Sequence, residues 1–261
     1  MVLFTFTSDS NNGGKYTTKF VPRFTMKGRP DDFKMALVSS TICRAWPTIG
    51  AALRNNKVTY KTAVGQPDKV ITINDGQYTY ELLDSVIKKT MKANGDYGVS
   101  AEGDDYFVEI GANLATGRVV ITVKNGYVFN IAPTISDITY DLRPILGFTQ
   151  TTFTQSGIND SVNEGDKIPD FNGGITELQV RCDLVDSNNA FANGKSEPIL
   201  YTFTPDKSPH AYMIKEPSQR LWLGVNTNVI DSVTIWLTDQ DGNSLTTGGE
   251  KTTVTVEIAK W

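Results

Sequence analysis

The chain has 261 residues, 39% hydrophobic and 10% aromatic, enough to bury a sizeable core. Twenty-five Lys and Arg against 29 Asp and Glu give a formal net charge of −4, too mild for a nucleic-acid wrapper or a polybasic membrane binder. No apolar run approaches the roughly 20 residues of a membrane-spanning helix, and two distant cysteines, Cys43 and Cys182, exclude a disulfide scaffold and read as buried reduced thiols.

The chain opens on Val2-Leu3-Phe4-Thr5-Phe6-Thr7, which alternates like a strand. It carries no basic leader segment, so no secretory signal is expected. Next comes the densest basic group, Lys15, Lys19, Arg23, Lys27 and Arg29, interleaved with Phe20, Phe24 and Met26. Such a segment could touch nucleic acid or a capsid interior, but an edge strand guarded by lysines is the better reading. Residues 1–30 are therefore expected to form an N-terminal strand or arm, and 31–261 the main domain. Strand patterns follow at 33–42, 58–63 and 69–74, rich in β-branched residues.

One helix interrupts the strands, at about 79–94. Leu82, Leu83, Val86, Ile87 and Met91 recur at helical spacing. Thr79 is the expected N-cap, Glu81 sits in the first turn, Lys88, Lys89 and Lys92 lie towards the end, and Gly95 stops it. Strands resume at 106–110, 118–124 and 127–131. Lys124-Asn125-Gly126-Tyr127 predicts a hairpin turn, because Asn-Gly tolerates positive φ at both central positions. A short helical turn is expected at 136–142, ended by Pro144.

Residues 149–174 and 186–196 are polar and read as long insertion loops. Later strand patterns occupy 175–184, 199–204, 221–225, 229–237 and 252–259. No repeat appears and no linker divides the chain. These elements predict an all-β, antiparallel jelly-roll sandwich with one amphipathic helix and long loop insertions.

The inventory for catalysis is thin. His210 is the only histidine, in a loop-like stretch, with no nucleophile elbow or phosphate loop elsewhere. Neither catalytic residues, cofactor nor metal site is expected. Glu102-Gly103-Asp104-Asp105 and Asp239-Gln240-Asp241-Gly242-Asn243 read as solvated acidic turns; the second misses the calcium-loop pattern by position.

Several stretches, in order, resemble the pentons and minor capsid proteins of Polinton (Maverick) elements, virophages and polinton-like viruses. These are Phe33-Lys34-Met35-Ala36-Leu37-Val38 with Trp46-Pro47; Val70-Ile71-Thr72-Ile73, Gly76-Gln77-Tyr78 and the helix with Leu82 and Leu83; Arg143-Pro144-Ile145-Leu146-Gly147-Phe148; Glu177 to Val185 with its Cys-Asp pair; Ile199 to Phe203; and Ile230 to Gly242. The resemblance covers roughly residues 33–260. It implies a non-enzymatic virion structural protein, a penton subunit assembling as a homopentamer beside a major capsid protein, made in the host cytoplasm or a viral factory. The alternative is a minor capsid protein or a glycan-binding attachment module. Such a subunit needs aromatic anchors at its interfaces. Trp46, Phe191, Tyr212, Trp222 and Trp261 are the candidates, whereas Trp236, in a strongly alternating strand, is expected in the core.

Overall fold

A computed structural model describes residues 1–8, 14–100, 103–155, 159–189, 191–192 and 195–261. The contacts sort the chain into two compact units: a split unit made of Met1–Trp46 and Ile175–Trp261, and an inserted unit, Pro47–Gly174. These boundaries differ from the arm-plus-domain division expected at residue 30. The first boundary, Trp46-Pro47, carries no polar linker, whereas the second, Gly174-Ile175, ends the polar stretch 149–174.

The split unit begins with β1 (Val2–Thr7), β2 (Lys15–Thr25) and β3 (Phe33–Cys43). In β2 the alternation decides which side chains are buried. Tyr16 is buried and Phe20 and Phe24 pack against the core, while Lys15, Lys19 and Arg23 are exposed.

The inserted unit follows. Its first sheet has the order β13-β10-β4-β5, from β4 (Lys57–Lys61), β5 (Lys69–Thr72), β10 (Val128–Asn130) and β13 (Thr152–Thr154). Its second is β14-β9-β8, from β8 (Val108–Asn113), β9 (Arg118–Val123) and β14 (Ser161–Glu164). Short strands β6 (Gly98–Ser100) and β7 (Gly103–Asp105), and β11 (Thr134–Ile135) and β12 (Ile138–Thr139), make two small pairs. Helix α1 (Tyr80–Ala93) buries Leu83, Ile87 and Met91 in this core. Thr79 caps it, its hydroxyl accepting from the Leu82 amide at 3.4 Å. Gly95, at φ 73°, ends it as expected. The Asp84 carboxylate accepts from the Ile110 amide at 2.7 Å, fixing the helix to β8.

Three expectations change here. Asn125 and Gly126 do take positive φ, 53° and 74°, but the strands they join do not pair: β9 and β10 belong to different sheets. The turn is thus a sheet switch, because turn chemistry sets direction reversal and partners are set by the packed faces. Residues 136–142 hold no helix; the helix is α2 (Arg143–Leu146), and Pro144 lies in its first turn, where the missing N–H costs nothing. The polar segment 149–174 is not pure loop, since β13 and β14 lie in it.

The chain then returns to the split unit with β15 (Leu178–Cys182), the short pair β16 (Phe191–Ala192) and β17 (Lys195–Ser196), β18 (Ile199–Phe203), β19 (Tyr212–Lys215), β20 (Leu223–Gly224), β21 (Val229–Asp239) and β22 (Thr253–Lys260). One sheet runs β1-β22-β3-β19, with β20 also on β3; the other runs β18-β15-β21-β2. All pairs are antiparallel. The inner faces meet over Phe6, Met35, Leu37, Ile42, Val180, Ile235, Leu237, Val254 and Val256, so the fold is the expected antiparallel jelly-roll sandwich. Cys43 and Cys182 are both free and buried.

Candidate assembly surface

An assembly surface needs side chains that the sandwich does not use. The structure redistributes the predicted anchors accordingly. Trp46 is 2% exposed and belongs to the split unit's core, so it is not a surface anchor. Trp236 is the reverse. Its strand buries Val233, Ile235 and Leu237, and the two-residue period turns Trp236 outwards, half-buried, with the Lys15 ammonium 5.4 Å from its ring. A bulky aromatic in a strand says nothing of the face it occupies; the neighbours at even spacing decide.

Tyr212 is 46% exposed, but its hydroxyl donates to Glu250 at 2.8 Å. That hydrogen bond raises its pKa above the usual phenol value. Phe191 lies in β16, and its side chain falls outside the described residues, as does Glu102. Trp222 and Trp261 come together: their rings meet edge-on at 5.9 Å, and the Lys34 ammonium stands 4.2 Å from the Trp261 ring. The Trp261 amide donates to the Asp32 carbonyl at 2.9 Å, which fixes the backbone under the ring. Trp261 remains 67% exposed and neighbouring Leu221 57%. Sequence reasoning selected both tryptophans singly and missed their pairing and Lys34.

The same outer sheet face explains how Trp222 is held. Glu257 on β22 is 1% exposed, although alternation turns it away from the core formed by Val254, Val256 and Ile258. It is covered from segment 216–222, whose Arg220 guanidinium pairs with its carboxylate. Its register partner on β3 is the small, buried Ala36. An ion pair between a fully buried carboxylate and a half-exposed arginine pins the strap that carries Leu221 and Trp222.

At the opposite border, Lys215 closes the gap between the sheets. Its ammonium binds Asp206 at 2.7 Å and lies 5.2 Å from the Phe203 ring. Lys19, Arg23, Lys27 and Arg29 are exposed, as is Lys15. The aromatics interleaved with them are turned inwards: Phe20 and Phe24 pack edge-on against Phe4, at 5.5 and 5.2 Å, and Met26 is buried. They present no stacking platform for nucleic-acid bases.

The residues singled out for chemistry are committed elsewhere. His210 is exposed; its backbone amide donates to the Arg44 carbonyl at 2.8 Å, and its carbonyl accepts from the Cys43 thiol at 3.7 Å. Asp239 accepts from the amides of Asp241 and Asn243 at 2.9 and 2.8 Å, so its carboxylate builds the turn itself. Asp104 pairs with Lys92, and Asp105 with Lys124 at 3.4 Å. Among the described residues no group of three or more His, Cys, Asp or Glu is placed to hold a metal, and no helix is long and apolar enough to cross a membrane.

No family model matches the chain, and no curated protein does. Among solved structures, it is similar to the crystal structure of the selenomethionine-labelled mavirus penton protein, with a TM-score of 0.51 and 13% sequence identity. The match covers 99% of both chains, so the likeness extends through the inserted unit as well as the sandwich. This chain therefore has the fold of a penton protein over nearly its whole length.

Proposed function

We propose that this protein is a structural subunit of a viral capsid, located in the virion and forming the vertex as a homopentamer. The observation that carries the reading is the end-to-end fold likeness to a penton protein. The ordered sequence resemblance to the same class, and the exposed Trp261 packed on half-buried Trp222 beside Lys34, support it. A ring of five needs a heterologous interface, in which one patch meets a different patch on the next copy. Aromatic anchors beside a cation suit such a patch. In this reading the major capsid protein is the second partner, and the protein carries no catalysis.

Mass photometry of the purified protein is expected to show a species near five times the 28.7 kDa subunit mass. The double variant Trp222→Ala, Trp261→Ala is expected to shift that species towards monomer with an unchanged circular-dichroism spectrum. A protein that stays monomeric at every concentration, and is missing from purified particles, would end the proposal.

A further inference from the structure

Alternation along β2 sets a row of cations on one face. Tyr16 is buried, Phe20 and Phe24 pack on the core, and Met26, just beyond the strand, is buried too. Lys15, Thr17, Lys19, Arg23 and Lys27 are exposed on the opposite side, the outer face of the second sheet. The cations recur at every fourth residue, about 13 Å apart, in a row roughly 40 Å long. Residues 14–30 contain no Asp or Glu, although the whole chain is at −4. Among the described residues none of these four cations forms an ion pair. The strands alongside offer Asp231, exposed and next to the Lys19 partner Ser232, and Asp183, whose carboxylate accepts from the Thr234 amide at 2.9 Å. Four charges against two leave the row positive. Guarding an edge does not account for it: β1, the edge strand of the other sheet and packed on β2 through Phe4, carries no charged side chain. Trp236 belongs to the same face. It is half-buried opposite Lys15, whose ammonium stands 5.4 Å from its ring, and alongside them the Thr17 and Thr234 hydroxyls meet at 3.0 Å.

We propose that this face binds single-stranded nucleic acid without regard to sequence, its phosphates along the cation row and a base on Trp236. A line of like charges repels itself until a linear polyanion lies along it, and binding then releases the polyanion's counterions. Threonine hydroxyls on the same face add donors for phosphate. The ring separates a nucleic acid from an acidic polypeptide: every base has a π-face to stack on it, and Asp and Glu side chains have none to offer. A ring half-buried in a sheet meets an unpaired base, not one stacked inside a duplex. The inference is independent of the capsid reading.

The test uses the full chain and a fluorescently labelled single-stranded oligothymidine of about 30 nucleotides, followed by anisotropy. Four phosphates neutralised on a single strand predict an affinity about 50-fold weaker at about 200 mM salt than at about 50 mM. Lys15→Glu, Lys19→Glu and Arg23→Glu together should weaken binding by about tenfold or more at the lower salt and flatten the salt dependence. The same three positions changed to Gln serve should that protein fail to fold. Trp236→Leu, which keeps the bulk and removes the ring, should weaken binding by about fivefold. Reversing three exposed cations elsewhere, Lys89, Lys167 and Lys251, makes the same change in net charge and should leave most of the affinity. No binding at the lower salt, equal losses in the two charge-reversed proteins, or binding untouched by Trp236→Leu would overturn the proposal. So would polyglutamate displacing the label as readily as unlabelled oligothymidine does, since the occupant would then be an acidic polypeptide.

Discussion

The split unit and the inserted unit solve one problem in two ways. The split unit covers one sheet with another, and most of its core comes from strand residues, many of them at every second position. The inserted unit adds a helix, so part of its core comes from Leu83, Ile87 and Met91 at helical spacing. Their buried polar groups differ too. In the inserted unit Asp96 accepts from Tyr60 at 2.6 Å and from Lys69 at 2.7 Å, and the Tyr60 oxygen accepts from Asn94 at 2.9 Å. In the split unit the Tyr16 hydroxyl is buried without a hydrogen-bond partner, and Glu257 depends on the strap. The inserted unit thus gathers several polar groups into one network at the helix end, and the split unit has its own, in which Arg181 donates to Glu197 at 2.6 Å and to Gln179 at 2.8 Å. Each unit also holds buried polar atoms with no partner among the described residues, Asn56 Oδ1 and the Gln77 amide in the inserted unit, Ser40 Oγ and Thr252 Oγ1 in the split unit.

The sharpest test removes one large side chain from each core. Trp46→Ala and Phe129→Ala should each cost about 3–5 kcal/mol in denaturant unfolding. Amide exchange should rise in β3 and β22 for the first and in β4 and β13 for the second; loosening of the other unit's core would break the comparison. The strap gives a smaller, asymmetric effect. Arg220→Ala strands a buried carboxylate and should cost about 3 kcal/mol, at the low end for a broken buried pair because Arg220 is half exposed. Glu257→Gln leaves a neutral amide and a solvated arginine, so it should cost less. Equal losses would mean that the carboxylate is not dependent on Arg220.

The tyrosines separate the units further. Tyr60→Phe should cost about 1 kcal/mol, while Tyr16→Phe should be neutral or slightly stabilising, because it deletes an orphan hydroxyl. Burial raises both pKa values above the ordinary 10.0; Cys182 adds to the rise at Tyr16, and the hydrogen bond to Asp96 adds to it at Tyr60. A group raised in the folded state lends stability that is complete below its unfolded value and is lost as pH climbs towards the folded one. Unfolding followed above pH 10 should therefore show a loss that Tyr16→Phe reduces. Thr79→Ala should have the smallest effect, at or below about 1 kcal/mol, given the long 3.4 Å cap; thermal melts of the helix signal measure it.

Much of this was legible in the sequence where a local rule is also the global one. Alternation gave β1, β3, β21 and β22, and the helix was bounded correctly by Thr79 and Gly95 because caps are local chemistry. What could not be read was which strands meet. Asn125-Gly126 made its turn but not a hairpin, since sheet membership depends on distant faces. Trp46 and Trp236 exchanged their expected places for the same reason. The Trp222–Trp261–Lys34 cluster joins residues from three separate stretches, and no spacing rule spans them.

The position of β22 has a consequence for synthesis. It lies between β1 and β3, yet it is the last strand of the chain. Translation makes the whole inserted unit before β15, and β22 is the latest-made strand of the split unit. Until then two early strands must wait with a vacant lane between them, one of them the uncharged β1. A nascent chain in this state is sticky, and its success depends on how quickly that last strand slots home.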